Sequence, residues 1–192
     1  MNRTRANPTE AQRAPAEPSD AELMTRLAAG DIGALGSLYD RYHESIRRFV
    51  ARSTGDAEDV DDLVHAAFLA AAGSAARYDG RAVCRAWLMG IAVRMVRRRR
   101  HALGRFLAVL TSARALGTSS ADPRPALAAR TDLERALARL SEPKRIAIVL
   151  AEVEGLSCPE IAEALDVPVG TVWTRLHAAR RELRRALDGG ER

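Results

Sequence analysis

The sequence predicts an all-α fold: two small helical domains joined by a flexible linker, the C-terminal one built around a pair of closely joined helices. Three observations carry that expectation. Alanine occurs 37 times in 192 residues while aromatics make up 4%, a composition that suits helices better than strands. Apolar residues recur at steps of three and four along most of the chain, and no stretch alternates with a period of two for long. The run TSARALGTSSADPRPALAAR at 111–130, rich in small residues and holding two prolines within three positions, interrupts the pattern.

Residues 1–19 hold three prolines and almost no large apolar side chain, and read as a disordered tail. The first domain covers 20–101. Leu23 and Leu27 open a helix that Ser19 or Asp20 could cap. Leu35, Leu38, Tyr39, Tyr42, Ile46, Phe49 and Val50 form a second stripe, ending near residues 53–55. Val60, Leu63, Val64, Ala67, Phe68 and Ala71 make a third, halted near Gly73 and Ser74. Trp87, Leu88, Ile91, Ala92 and Met95 make a fourth. The linker is assigned to 102–130, although 101–110 is apolar enough for a short helix or a packed extension.

The second domain covers 131–187, with 188–192 as a short tail. Leu133, Leu137 and Leu140 form a stripe stopped by Ser141-Glu142-Pro143. Ile146, Val149, Leu150 and Val153 form the next, ended by Gly155. Ser157 and Glu160 have capping-box spacing, and Pro159 is tolerated in a first turn. The helix they begin carries Ile161, Ala162 and Leu165. After Asp166-Val167-Pro168 a last helix turns Val172, Leu176, Ala179 and Leu183 inward.

Several functions are unsupported. No apolar run approaches the roughly 18 residues of a membrane span, and the N-terminus lacks a secretory apolar core. Cys84 and Cys158 stand far apart with no CxxC, so a reducing cytoplasm is expected, with neither zinc nor a disulfide framework. The four histidines show no HExxH spacing, and no phosphate-cradling GxxxxGK[ST] is present. No cofactor, metal or catalytic residue is expected.

The net charge of +5 conceals a segregated distribution. Residues 1–76 carry 8 basic and 12 acidic groups, 77–130 carry 12 and 2, and 131–192 carry 10 and 11. Such segregation suits a chain with separate acidic and basic contact surfaces.

Two short helices joined by a tight turn form a helix-turn-helix, whose second helix can enter a DNA major groove. The last two helices have this layout. On a wheel, Trp173, His177, Arg180 and Arg184 flank the core stripe, with Thr174, Arg181 and Arg185 opposite it. Gly170 and Thr171 offer backbone N–H groups to a phosphate. A merely solvated Arg-rich helix is the plainer alternative. Trp173, the one aromatic of this domain, lies off the core stripe and favours DNA contact.

In the first domain Arg94, Arg97, Arg98, Arg99 and Arg100 fall within seven positions. Gly90, Arg94, Arg97 and His101 share a wheel face opposite Leu88, Ala92 and Met95, a face that attracts a polyanion. An anionic lipid surface and mere Arg-rich composition are the alternatives, and the second DNA-reading element favours nucleic acid. Just upstream, Tyr78, Asp79, Arg81 and Arg85 form a charged segment able to hold an unpaired base by stacking and cationic contacts. The acidic stretch 55–62 opens the third helix, where Asp56, Glu58 and Asp59 suit the helix dipole. Asp61, Asp62, His65 and Leu69 lie away from the core stripe and make a mixed acidic and apolar face suited to a basic protein partner.

Five segments together resemble one family: DLVHAAF at 62–68, RYD at 77–79, AWLMGIA at 86–92, GLSCPEIA at 155–162 and VGTVWTRL at 169–176. The chain is similar to bacterial alternative RNA polymerase sigma factors of the extracytoplasmic-function (ECF) group, over nearly all of 20–187. The resemblance implies a non-enzymatic subunit that binds core RNA polymerase and directs it to promoter DNA. On that likeness Asp61, Asp62, His65 and Leu69 would dock on the polymerase clamp helices. Tyr78, Asp79, Arg81 and Arg85 would capture a flipped base of the −10 element, with Arg94, Arg97, Arg98 and Arg100 on the neighbouring backbone. Thr171, Trp173, Thr174, Arg175, His177, Arg180 and Arg181 would read the −35 element. An anti-sigma factor is a further partner implied. His65-Ala66 stands where family members usually have Gln-Glu, Arg94 where Asn is usual, and Trp173-Thr174 where Lys-Ser is common. A helix-turn-helix regulator that never forms a holoenzyme remains the alternative from sequence, as does a protein-interaction adaptor.

Overall fold

The computed structural model describes residues 17–54, 59–80, 83–114 and 132–188. Its elements are α1 (Asp20–Ala28), α2 (Ile32–Thr54), α3 (Val60–Ala72), a 3-10 turn (Ala75–Arg77), α4 (Cys84–Arg114), α5 (Asp132–Arg139), α6 (Glu142–Ile148) continued by a π-turn (Val149–Val153), α7 (Cys158–Leu165) and α8 (Val169–Asp188). No strand occurs among the described residues, as composition and periodicity predict. Residues 1–16 and 115–131, holding most of the expected tail and linker, lie outside the described residues.

Local chemistry sets the helix starts. Ser19 rather than Asp20 caps α1: its hydroxyl accepts from the Glu22 N–H, and the Glu22 carboxylate accepts from the Ser19 N–H at 2.7 Å. Asp20 is released to accept from Arg41 and Tyr42 of α2. At the start of α2, Asp31 accepts from the Gly33 N–H at 2.8 Å and from Arg26 at 2.8 Å. The Arg26 hydrogen bond leads the causes that hold the Asp31 carboxyl below the usual range. Ser157 and Glu160 build the predicted second capping box at α7.

The first core is bulky, with Leu23, Leu38, Phe49, Val64, Phe68 and Leu88 buried between α1, α2, α3 and α4. The second is made by Leu137, Ile146, Leu150, Ile161, Val172 and Leu176. Leu133 departs from the expected inward stripe: it lies at the start of α5 and is 50% exposed, with the stripe closing only at Leu137 and Leu140. Helix α4 runs past residue 101. Residues 102–114, assigned to the linker, continue α4, which settles the ambiguity at 101–110 in favour of helix.

Buried side chains of the two domains form one continuous cluster. The contact runs chiefly between α4 and α7, with the π-turn against α2. Periodicity predicts a free polyanion face on α4, yet the N-terminal half of that helix is buried nearly all round. Leu88, Met89, Ile91, Ala92 and Val93 are all within 2% of full burial. A helix apolar on every side is a buried helix, and Gly90 is where α7 closes on it. A Cβ added to Gly90 would lie 2.7 Å from the Ala164 carbonyl oxygen.

Candidate nucleic-acid and protein interfaces

The helix-turn-helix is built by α7, a three-residue turn and α8. The turn depends on Asp166, which adopts φ 52° and ψ 56°. Asp is among the few residues other than Gly that visit this left-handed region readily, so the helix ends there without a glycine. Its N–H returns to the Glu163 carbonyl at 3.2 Å, and the Val167 N–H reaches the Ala162 carbonyl at 3.1 Å. The chain then re-enters helix at Val169, and Val172, Leu176 and Ala179 lock α8 onto the core.

That anchoring leaves the other side of α8 in solvent. Trp173 is 60% exposed and belongs neither to the core nor to the side chains packed on it. An exposed indole beside exposed Thr174, His177 and Arg181 gives the helix an apolar plate, a hydroxyl and donors on one outward face. Thr174 spends its own proton on the Gly170 carbonyl at 2.9 Å, leaving oxygen lone pairs outward. Thr171 and Arg175 are half-buried. Arg180 is paired within the domain, bonding Glu152 at 2.7 Å, which separates it from the outward group.

In the first domain, Tyr78 is less free than its place in a charged loop predicts. It is half-buried and meets the Trp87 ring edge-on, with centroids 5.3 Å apart. Burial leads the causes that raise its phenol pKa. Asp79 is exposed beside it, while Arg81 lies outside the described residues. Arg94 and Arg98 are exposed on α4. Desolvation first, then the charges of Arg98 and Arg77, push the Arg94 guanidinium below its ordinary value. Three nearby cations sharing one field form a focus for an anion.

The other expected DNA contacts are occupied by the second domain. Arg97 and Arg100 lie 3.4 Å and 3.8 Å from the two carboxylate oxygens of Glu142. Arg85 donates to Glu154 and to Ser45, each at 3.2 Å. Arg48 approaches the same Glu154 oxygen at 3.4 Å, and Ser45 donates to it. The Glu154 side chain has no exposed surface. Sequence inspection missed this cluster because its members lie on three helices and a turn, far apart in the chain.

The face expected to dock a protein is present on α3. Asp61, Asp62 and His65 are exposed, and Leu69 is 68% exposed, one of the most exposed large apolar side chains. Arg47 of α2 pairs with Asp61 at 3.1 Å, a solvent-exposed bridge. The His65 ring is placed by Tyr39, which stacks between His43 and His65 at centroid distances of 5.0 Å and 5.9 Å. The acidic residues of 55–58 lie outside the described residues.

Among the described residues no three His, Cys, Asp or Glu side chains gather as metal ligands. Cys84 is buried, and burial pushes its thiol pKa up to about 12, which leaves a protonated, unreactive group at neutral pH. No helix among the described residues is long and apolar enough to cross a membrane.

Comparison with known proteins identifies the two helical regions. The family model for sigma-70 region 2 matches residues 38–106, and that for sigma-70 region 4 matches 130–183. The ECF RNA polymerase sigma factor SigM of Mycobacterium tuberculosis is 33% identical over 172 residues, covering 89% of this chain and 86% of the relative. The solved structure of CnrH with the cytosolic domain of CnrY aligns with a TM-score of 0.64 at 32% identity, over 87% of this chain and 96% of that one. The sigma factor RpoE of Bartonella quintana, solved with the anti-sigma factor NepR, shares the fold at a TM-score of 0.64 and 22% identity, over 80% of this chain and 96% of that one. With two region models in order and a relative matched along most of both lengths, the chain belongs to the ECF group of bacterial RNA polymerase sigma factors.

Proposed function

We propose that the two domains divide promoter recognition between them, as a subunit that binds and positions without chemistry of its own. The exposed Trp173 on a helix otherwise locked to its core is the observation that carries this reading for the second domain. It reads the −35 element in the major groove through Trp173, Thr174, His177 and Arg181, with Thr171, Arg175 and Arg180 toward the backbone. The first domain holds the separated −10 strand: Tyr78, Asp79, Arg81 and Arg85 face a flipped base, and Arg94, Arg97, Arg98 and Arg100 face its phosphates. Melted DNA presents unstacked bases and a dense line of charge, which an aromatic beside clustered arginines can hold.

Core RNA polymerase docks on Asp61, Asp62, His65 and Leu69, where an apolar centre within an acidic surround favours a basic, partly apolar partner. The working compartment is the bacterial cytoplasm, where core polymerase and DNA meet, and an anti-sigma factor is a second partner. The test is reconstitution: the chain is mixed with core polymerase and a randomised promoter library, and transcripts are mapped. Initiation at a shared bipartite motif is the expected result. Site-specific binding by the free chain with no holoenzyme formed would replace this reading with that of a separate DNA-binding regulator.

A further inference from the structure

The outward side of α8 is apolar where it begins. Val169 and Trp173 stand one helical turn apart and so share a face. Both are exposed, and neither belongs to the core nor to the side chains packed on it. A single exposed apolar side chain is ordinary on a protein surface. Two in line at the start of a recognition helix stand where such helices meet base edges. The space beside them is open, since a Cβ added to Gly170 would meet nothing within 4 Å. His177 continues the same line one turn further and is exposed as well.

The polar groups on this side narrow the choice of base. The Trp173 indole has one N–H donor and no acceptor. Thr174 donates its proton to the Gly170 carbonyl at 2.9 Å, so its oxygen can only accept from a base. In the major groove thymine alone presents an apolar group, its 5-methyl, beside the O4 acceptor. Cytosine presents an amino donor there, and the purines present only donors and acceptors. An apolar plate with a single donor therefore matches the thymine edge. A lysine, common among family members at this position, would instead seek guanine acceptors or a phosphate.

We propose that Trp173 is a thymine-selecting residue, its ring packing with Val169 beside it on the 5-methyl group of one thymine in the −35 element. This rests on the assignment of α8 to that element and names the base chemistry it reads. The group recognised is the methyl itself, so discrimination survives any change of the base that keeps it and fails when it alone is removed.

The test uses holoenzyme and the −35 duplex chosen from the promoter library. Each thymine of the element is replaced in turn, on either strand, by deoxyuridine, which removes the methyl group and leaves pairing and O4 intact. Parent holoenzyme is expected to lose about fourfold in affinity at one position, the contribution of one buried methyl group. Trp173→Ala holoenzyme is assayed at low salt, where phosphate contacts sustain binding, and is expected to bind the thymine and uracil duplexes alike. With cytosine at that position, 5-methylation is expected to improve binding by the parent and not by Trp173→Ala. A parent indifferent to uracil throughout the element, or a Trp173→Ala protein that keeps the parent's uracil penalty, overturns the assignment. Both results require a holoenzyme that binds its promoter, so they are distinct from a failure of the reconstitution above.

Discussion

Replacing Trp173 by alanine separates recognition from folding on a single helix. Trp173 is 60% exposed and lies outside the packed shell, so its loss falls in the class of surface substitutions, within about 0.5 kcal/mol. Leu176, one turn on, is 2% exposed, and its truncation empties a site that α5, α6 and α7 surround. Large-to-small changes of this kind cost about 2–5 kcal/mol. At about 2–4 °C per kcal/mol for a chain of this size, a mid-range loss of about 3 kcal/mol lowers the melting temperature by about 6–12 °C. In DNA binding the order reverses. A direct base contact is worth about 1–3 kcal/mol of discrimination, or about 5- to 150-fold in affinity. The paired assays are thermal unfolding followed at 222 nm and competition of holoenzyme for a promoter duplex chosen from the library. Trp173→Ala is expected to keep the melting temperature and lose affinity. Leu176→Ala is expected to lose stability first. A Trp173→Ala protein that melts several degrees lower, or that binds the duplex within twofold of the parent, would refute the division between an outward reading face and an inward anchoring face.

Three further outcomes follow from single side chains. Leu69→Asp places a charge at the apolar centre of the α3 face. Because Leu69 is 68% exposed, thermal stability stays within about 0.5 kcal/mol, while binding to core polymerase in a pull-down falls at least tenfold. Arg98→Ala removes an exposed cation, so the slope of log affinity for single-stranded DNA against log salt becomes shallower by about 0.7. Ser157→Ala removes the cap of α7 and costs about 1 kcal/mol. The bonds from Ser157 hold the Glu160 carboxyl below its ordinary value. Their stabilising effect is therefore present above the unfolded pKa, near 4.3, and is lost as pH falls through the folded value. The gap in urea midpoint between the parent and Ser157→Ala proteins should accordingly narrow as pH falls through the depressed Glu160 value, and a gap that widens there would contradict the capping argument.

The helices were legible because their causes are local. Apolar steps of three and four, two capping boxes and the Asp166-Val167-Pro168 turn act over a few residues and need no partner to be read. Trp173 was legible for the same reason: its angular distance from Val172 and Leu176 puts it outside whatever those two are packed against. The contact between domains was not legible, because periodicity names the face of a helix and never what covers it. One signal was available. In α4, Met89, Gly90 and Val93 interrupt the polar face that Arg94 and Arg97 define, and a helix with apolar groups on opposite sides needs cover on both. Glu154 offered none, since a lone acid after an apolar run reads as a helix terminus. Leu133 fell on the right stripe but at a helix start, where it lines the rim of a cavity with Leu137, Val153 and Leu183 and stays half exposed.

The contact between the two domains is held by two unequal kinds of interaction. The pairs of Arg97 and Arg100 with Glu142 are partly solvated, and such bridges contribute about 0–1 kcal/mol each and weaken with salt. Glu154 is different, since burying a carboxylate costs several kcal/mol unless its hydrogen bonds are complete. They are incomplete: Oε2 receives Ser45, Arg48 and Arg85, while Oε1 has no partner among the described residues. A buried unsatisfied acceptor costs about 1–3 kcal/mol, which offsets much of what the three donors contribute. The apolar fit of α7 over Gly90 therefore supplies the attraction, and Glu154 supplies the register.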